Sequence, residues 1–195
     1  MTLNEVLKNT NYDVSLFSEE ARKYVEDAIV VKTIRGKESL FIKCLKRDKE
    51  IALKPEEAVR QLYLYKLIHE YGYPTSRIEV EFPIHFGREV KRADIAIMDK
   101  DRLMVPYIIV ELKKPKLTDG KEQLKSYCNA TGAPIGVWTN GEQISYYNRK
   151  DPNYFEPITN IPKVSEKLAD IINEKFTYED LKKIDRISQQ KRSLR

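Results

Sequence analysis

The stretch KRADIAIMDKDRLMVPYIIVELKK, Lys91–Lys114, decides the reading of this sequence. Val90–Met98 (VKRADIAIM) and Pro106–Leu112 (PYIIVEL) are rich in β-branched and apolar residues, and the polar run Asp99-Lys100-Asp101-Arg102 separates them. Two antiparallel strands are expected. With the connection centred near residues 102 and 103, opposed residues have numbers summing to about 205. Asp94 and Glu111 meet that sum, so two carboxylates become cross-strand neighbours. Side chains alternate across a strand, which puts Ile109, Glu111 and Lys113 on one face and Ile108, Val110 and Leu112 on the other.

Like charges placed opposite each other destabilise a sheet. A divalent cation resolves the conflict, because a carboxylate pair completed by waters and a substrate phosphate is the usual way Mg²⁺ is held, with Mn²⁺ as a substitute. Lys113, on the same face, could orient or deprotonate a water and offset negative charge in a transition state. The competing reading is an ordinary charged sheet face in which Asp94 and Glu111 pair with Lys113 and Arg92; the spacing by itself recurs by chance in chains rich in Lys and Glu.

Outward from this hairpin, Pro55 followed by Glu56 and Glu57 marks a helix start, and Val59, Leu62, Leu64, Leu67 and Ile68 recur at near-helical spacing until Gly72. A helix over residues 55–71 is expected, then a strand over Arg77–His85 with Ile78, Val80 and Phe82 on one face. On the other side come the segment KKPKLTDGK, a short helix over Lys121–Thr131, a strand over Ala133–Thr139, the turn Asn140-Gly141 and a strand over Gln143–Asn148. Val164–Ile187 is helical in pattern. Nearer the N-terminus, Tyr24–Ile34 and Ser39–Leu45 read as strands around a turn at Gly36, although a helix over Ser18–Ala28 competes for the first. The order gives an α/β class with a mixed central sheet flanked by helices. If the strands before and after the second helix are parallel, the right-handed crossover rule sets the face that helix covers.

A chain of 195 residues can bury one sizeable core. The expected organisation is an N-terminal extension over 1–50, a core over 51–160 and a C-terminal helical extension over 161–195, a candidate connection to a further domain. The formal charge is only +5, but between Lys32 and Lys54 eight basic residues face three acids, and the chain ends Lys191-Arg192-Ser193-Leu194-Arg195. Such clusters suit a phosphate-bearing partner, or form a solvated face. Neither a signal peptide nor a membrane span is apparent, so a cytoplasmic protein is expected. Cys44 and Cys128 form no CxxC pair and read as reduced thiols. His69 and His85 are isolated, which argues against a zinc hydrolase. Trp138 reads as core, and no nucleophile-elbow motif occurs.

The segments PEEAVRQ, YGYP, KRADIAI, IVELKKP and EQLKSY, in that order over about residues 50–150, resemble the N-terminal nuclease domain of type I restriction enzyme R subunits, within the PD-(D/E)XK superfamily. The resemblance implies a restriction-endonuclease-like core and Mg²⁺-dependent hydrolysis of double-stranded DNA. It also implies membership of a restriction-modification system with translocase, methyltransferase and specificity domains or subunits. Asp94 and Glu111 match the family's metal-binding acids and Lys113 its catalytic lysine. Gln123 and Tyr127 match the Q-x-x-x-Y element of RecB-like members, which lies beside the active site and supports DNA; their spacing puts both on one helix face. Glu56 resembles an accessory metal-binding acid on the first helix, with Glu57 a competitor for that role; the ordinary reading of Glu56 is a helix N-terminal acid paired with Arg60. Ala93 stands where the family often has proline. No phosphate-cradling G-x-x-x-x-G-K-[ST] occurs, so no ATP site is expected in this chain. The alternative function is a catalytically weak DNA-binding or docking domain of a larger restriction-modification polypeptide.

Overall fold

In a computed structural model of the chain, residues 3–7, 14–113 and 120–172 are described. A short helix α1 (Leu3–Leu7) and helix α2 (Glu19–Asp27) precede a small antiparallel sheet of β1 (Ile29–Ile34), β2 (Lys37–Lys43) and β3 (Glu50–Ala52), in the order β1-β2-β3. Helix α3 (Pro55–Tyr65) continues as one π-helical segment, Lys66–Glu70, and a 3₁₀ turn at Thr75–Arg77 leads into the main sheet. That sheet has six strands, β4 (Ile78–Phe86), β5 (Glu89–Met98), β6 (Pro106–Leu112), β7 (Ile135–Thr139), β8 (Ile144–Asp151) and β9 (Tyr154–Ile158), side by side in chain order. Helix α4 (Lys121–Thr131) connects β6 to β7, the parallel pair; the other neighbours are antiparallel. The expected α/β architecture, a mixed central sheet flanked by helices, is what the chain forms.

Two hydrophobic clusters lie on the two faces of this sheet. On one face Ile95, Ile97, Ile108, Val110, Ile135 and Val137 pack with Val59, Leu62 and Tyr63 of α3 and with Ala21 and Val25 of α2. On the other, Ala96, Ile109 and Trp138 pack with Leu124, Tyr127 and Cys128 of α4. The continuous apolar run in β6 follows from burial on both faces. Trp138 is fully buried, as its apolar context suggests. Helix α4 approaches β7 so closely that a Cβ at Gly136 would lie 3.1 Å from Cys128 Sγ and 3.2 Å from Leu124. Among the described residues no helix is long and apolar enough to cross a membrane.

Several expectations are corrected. The first half of Tyr24–Ile34 is helix, because the Ser18 hydroxyl caps α2 by accepting from the Ala21 amide at 3.2 Å, and Ala21 and Val25, four apart, are both buried. The strand begins only at Ile29, and the β1–β2 turn falls on Arg35-Gly36, both at positive φ, the type I′ geometry of a two-residue hairpin. Strand β9 went unread because Pro157 argues against a strand; it is tolerated because β9 is a sheet edge. The Asn140-Gly141 hairpin has a four-residue loop, tied by the Asn140 side-chain oxygen accepting from the Glu142 and Gln143 amides. At the C-terminal end, residues 164–166 are turn and bend, and helix begins at 168; the remainder of the expected helix, from 173, lies outside the described residues, as do the basic C-terminal cluster and residues 114–119 of the KKPKLTDGK segment.

One correction bears on the site. Ile78 and Val80 pack on the α3 face, but Phe82 packs on the α4 face with Ile84 and Phe86. The switch occurs at Glu81, whose φ of +54° is a left-handed conformation rare for a non-glycine residue in a strand. Across from it, β5 changes face in the same way between Ile95 and Ala93.

Candidate active site in the fork of the sheet

The β5–β6 register runs Ile97↔Ile108, Ala96↔Ile109 and Ile95↔Val110, the sum of 205 read from the sequence, and then stops. One step further, where Asp94 and Glu111 would be paired, β6 continues alongside β7 through Glu111↔Trp138 and Leu112↔Thr139, whereas β5, among the described residues, continues with β4 alone, through Ala93↔Phe82 and beyond. The sheet forks there. The Leu112 amide donates to Asp94 Oδ2 at 2.7 Å, so a side chain closes the ladder at its last rung.

Glu111, Asp94 and Lys113 meet in the fork. A cleft of about 220 Å³ is lined by Glu56, Val59, Arg60, Arg92, Asp94, Glu111, Leu112 and Lys113. At roughly 30 Å³ per water this is room for several waters, enough for a hydrated ion or a phosphate group. Glu111 is nearly inaccessible, and its Oε2 has no hydrogen-bond partner among the described residues, while Oε1 accepts from Lys113 Nζ at 2.8 Å. Burial, and then the neighbouring Asp94 charge, push the Glu111 carboxyl up to about 7, against the pull of Lys113 and Arg60. Burial works to lower the Lys113 ammonium, but its contact with Glu111 and the charges of Glu111 and Asp94 prevail and raise it.

Lys113 is held from a second side. Its Nζ donates to Gln123 Oε1 at 2.9 Å, and Gln123 Nε2 donates to the Tyr127 hydroxyl at 2.5 Å. The four-residue spacing on α4 thus brings both side chains into one line with the lysine. Gly120, the residue before α4, has a φ of +91°, and a Cβ there would overlap the Lys113 side chain. The start of α4 is therefore shaped around Lys113.

Arg60 is the site residue that sequence reasoning misplaced. Rather than serving only the first turn of α3, its guanidinium reaches Asp94 Oδ1 at 2.7 Å and Glu57 Oε2 at 2.5 Å, with Glu81 Oε1 at 3.8 Å. The signal was PEEAVRQ itself: Arg60 is three positions after Glu57, one helical turn, but nothing local reveals that β5 brings Asp94 against it. The two acids of α3 are separated by the structure. Glu57 is buried and accepts from Gln61 Nε2 at 2.7 Å as well as from Arg60, whereas Glu56 is exposed and lines the cleft. Asp94 turns to Arg60, and Arg92 donates to the Glu81 carbonyl oxygen at 3.2 Å. Among the described residues no three Asp, Glu, His or Cys side chains cluster as a ready-made ligand set, so Glu56 shares the cleft with Asp94 and Glu111 without joining them in such a cluster.

These elements define a class: an α/β domain whose central sheet splits to hold two acids and a lysine. The chain belongs to the family described as the Type I restriction enzyme R protein N terminus, which its residues 55–162 match. No curated protein matches the sequence. Among solved structures, a candidate nuclease from Anabaena variabilis ATCC 29413, determined at 1.96 Å, is 16% identical with a TM-score of 0.40, over 83% of this chain and 89% of its own.

Proposed function

We propose that this domain is a Mg²⁺-dependent DNA endonuclease of a restriction-modification system, hydrolysing phosphodiester bonds in double-stranded DNA alongside translocase, methyltransferase and specificity domains or subunits. The observation that carries the reading is the Glu111 carboxylate, buried beside Asp94 with one oxygen unpartnered among the described residues and its pKa raised to about 7. A buried carboxylate oxygen left without a partner costs stability, even with the Lys113 ammonium on the other oxygen. The donor set suits a hard divalent ion, which takes one or two carboxylates and retains waters. Membership of a restriction enzyme family agrees with this.

Asp94 and Glu111 would hold the ion, with Glu56 as the accessory acid across the cleft. When bound, a divalent cation supplies charge stabilisation at a phosphoryl oxygen and increases the acidity of water. Lys113 keeps its proton beside two acids, so its part is to donate to the phosphate or the attacking water and to offset developing negative charge. Gln123 fixes the direction of the Lys113 ammonium, and Tyr127 fixes Gln123. Arg60 holds Asp94 in place and balances its charge.

Calorimetric titration with Mn²⁺ tests the reading without relying on cleavage. The folded chain binds Mn²⁺, Asp94→Ala and Glu111→Gln lose at least tenfold in affinity, and Lys113→Ala retains binding. Equal affinity in Asp94→Ala and wild type would refute the metal assignment.

A further inference from the structure

Beyond the fork, β4 and β5 continue as a two-stranded ribbon. Their pairing extends through Phe82↔Ala93, Pro83↔Arg92, Ile84↔Lys91, His85↔Val90 and Phe86↔Glu89, with no third strand beside β5 among the described residues. From Asp94 to Glu89 the strand travels five residues, about 17 Å. The tip is a two-residue turn, Gly87-Arg88, with glycine at positive φ in the first central position, the type II′ geometry that suits a twisted ribbon.

The two faces of the ribbon differ. Phe82, Ile84, Phe86 and Ala93 belong to the cluster around α4, and the Phe86 ring lies 6.0 Å from that of Tyr127. Cross-strand pairing puts Glu89 and Lys91 on this α4 side, with Lys91 Nζ 5.8 Å from the Phe86 ring. The opposite face carries Pro83, His85, Val90 and Arg92, all exposed, and Arg88 is exposed at the tip. None of these five residues is acidic. Its innermost member, Arg92, also lines the cleft that contains Asp94 and Glu111. Val90, half exposed, lies between the two arginines on a surface that no described element covers.

We infer that the exposed face of the β4–β5 ribbon is a track for the phosphate backbone of duplex DNA, with Arg92 beside the cleft and Arg88 at the tip as its phosphate contacts. This rests on the proposed nuclease reading and adds to it the surface that aligns the duplex with the fork. The charge supports this partner: two guanidiniums with no acid among the residues of the exposed face, continuous with a cleft of phosphate size. The packing supports it too, because α4 braces the ribbon from behind and leaves its outer face pre-shaped.

The experiment is fluorescence anisotropy with a short labelled duplex in Ca²⁺ over a range of salt, using the full chain. The doubly substituted Arg88→Ala/Arg92→Ala protein is expected to bind about tenfold more weakly, with a salt slope reduced by about 2, while it binds Mn²⁺ at least as tightly as wild type. Arg88→Ala alone, remote from the cleft, is expected to reduce the slope by about 1 at the wild-type melting temperature. Arg35→Ala/Lys37→Ala, which removes the same charge from the small sheet, is expected to stay within about twofold of wild type. Equal losses in the two double variants, or no loss in the ribbon variant, would overturn the track while leaving the nuclease reading intact. A wild-type chain that bound Mn²⁺ but no duplex would overturn both.

Discussion

Glu111 lies under two opposed influences, and their balance gives a pH dependence. The unfolded chain releases the Glu111 proton near its ordinary value of 4.5, whereas the folded chain retains it to about 7. Between those values the folded state binds more protons, so this group's contribution to stability falls as pH rises and is fully lost above about 7. Glu111→Gln removes the burden. In metal-free urea unfolding, the variant is expected to exceed wild type by about 1–3 kcal/mol at pH 8, and the difference is expected to vanish toward pH 4.5. A variant less stable than wild type at pH 8 would contradict this account of the site. The register that brings Asp94 and Glu111 near each other was legible because strand arithmetic needs only the positions of two strands and the centre of the loop between them. The expected cross-strand pairing of the two acids is not made, since the ladder stops one step short at Ile95↔Val110. Arg60's part was not legible, since its partner is 34 residues away and on another element.

At the scale of elements, the start of α4 and the end of β6 are shaped for each other. Gly120 and Gly132 both have positive φ, +91° and +76°, but a Cβ at Gly132 would meet nothing within 4 Å, whereas one at Gly120 would overlap Lys113. Alanine at either position incurs backbone strain of order 1 kcal/mol or more. Only Gly120→Ala also displaces the lysine from Glu111 and Gln123, for a total loss of about 2–3 kcal/mol. Thermal or urea unfolding of the two variants separates the terms, and equal losses would show that Lys113 does not depend on Gly120. The helices α3 and α4 were readable because proline, acids and glycine punctuate them and their apolar stripes are regular. Strand β4 was readable as a strand but its facing was not, because the left-handed Glu81 breaks the alternation that such a reading assumes. Glu81 carries no local signal for this. Its side chain accepts from Arg47 at 2.9 Å and its carbonyl from Arg92, so tertiary contacts hold the conformation.

At the scale of the molecule, the site exists because one sheet divides. Strands β6 and β7 are fixed between two hydrophobic clusters, β4 and β5 turn away together, and the acids and lysine occupy the gap. The class of fold and the identity of the central strands were readable from hydrophobic pattern; the fork was not, because that pattern carries the expected ladder through Asp94 and Glu111, whereas the pairing ends at Ile95↔Val110. The division also explains why Asp94 makes a hydrogen bond to the Leu112 backbone where a strand partner would otherwise be.

Cleavage of supercoiled plasmid by the purified chain tests the central claim most directly, with Mg²⁺ or Mn²⁺, with EDTA, and with Lys113→Ala and Asp94→Ala. The account predicts nicked or linear product with metal, none in EDTA, and a loss of at least a hundredfold in either variant, the scale expected when a group stabilising transition-state charge is removed. Cleavage that persisted in EDTA or survived in both variants, or a folded chain that neither cleaved nor bound Mn²⁺, would contradict it.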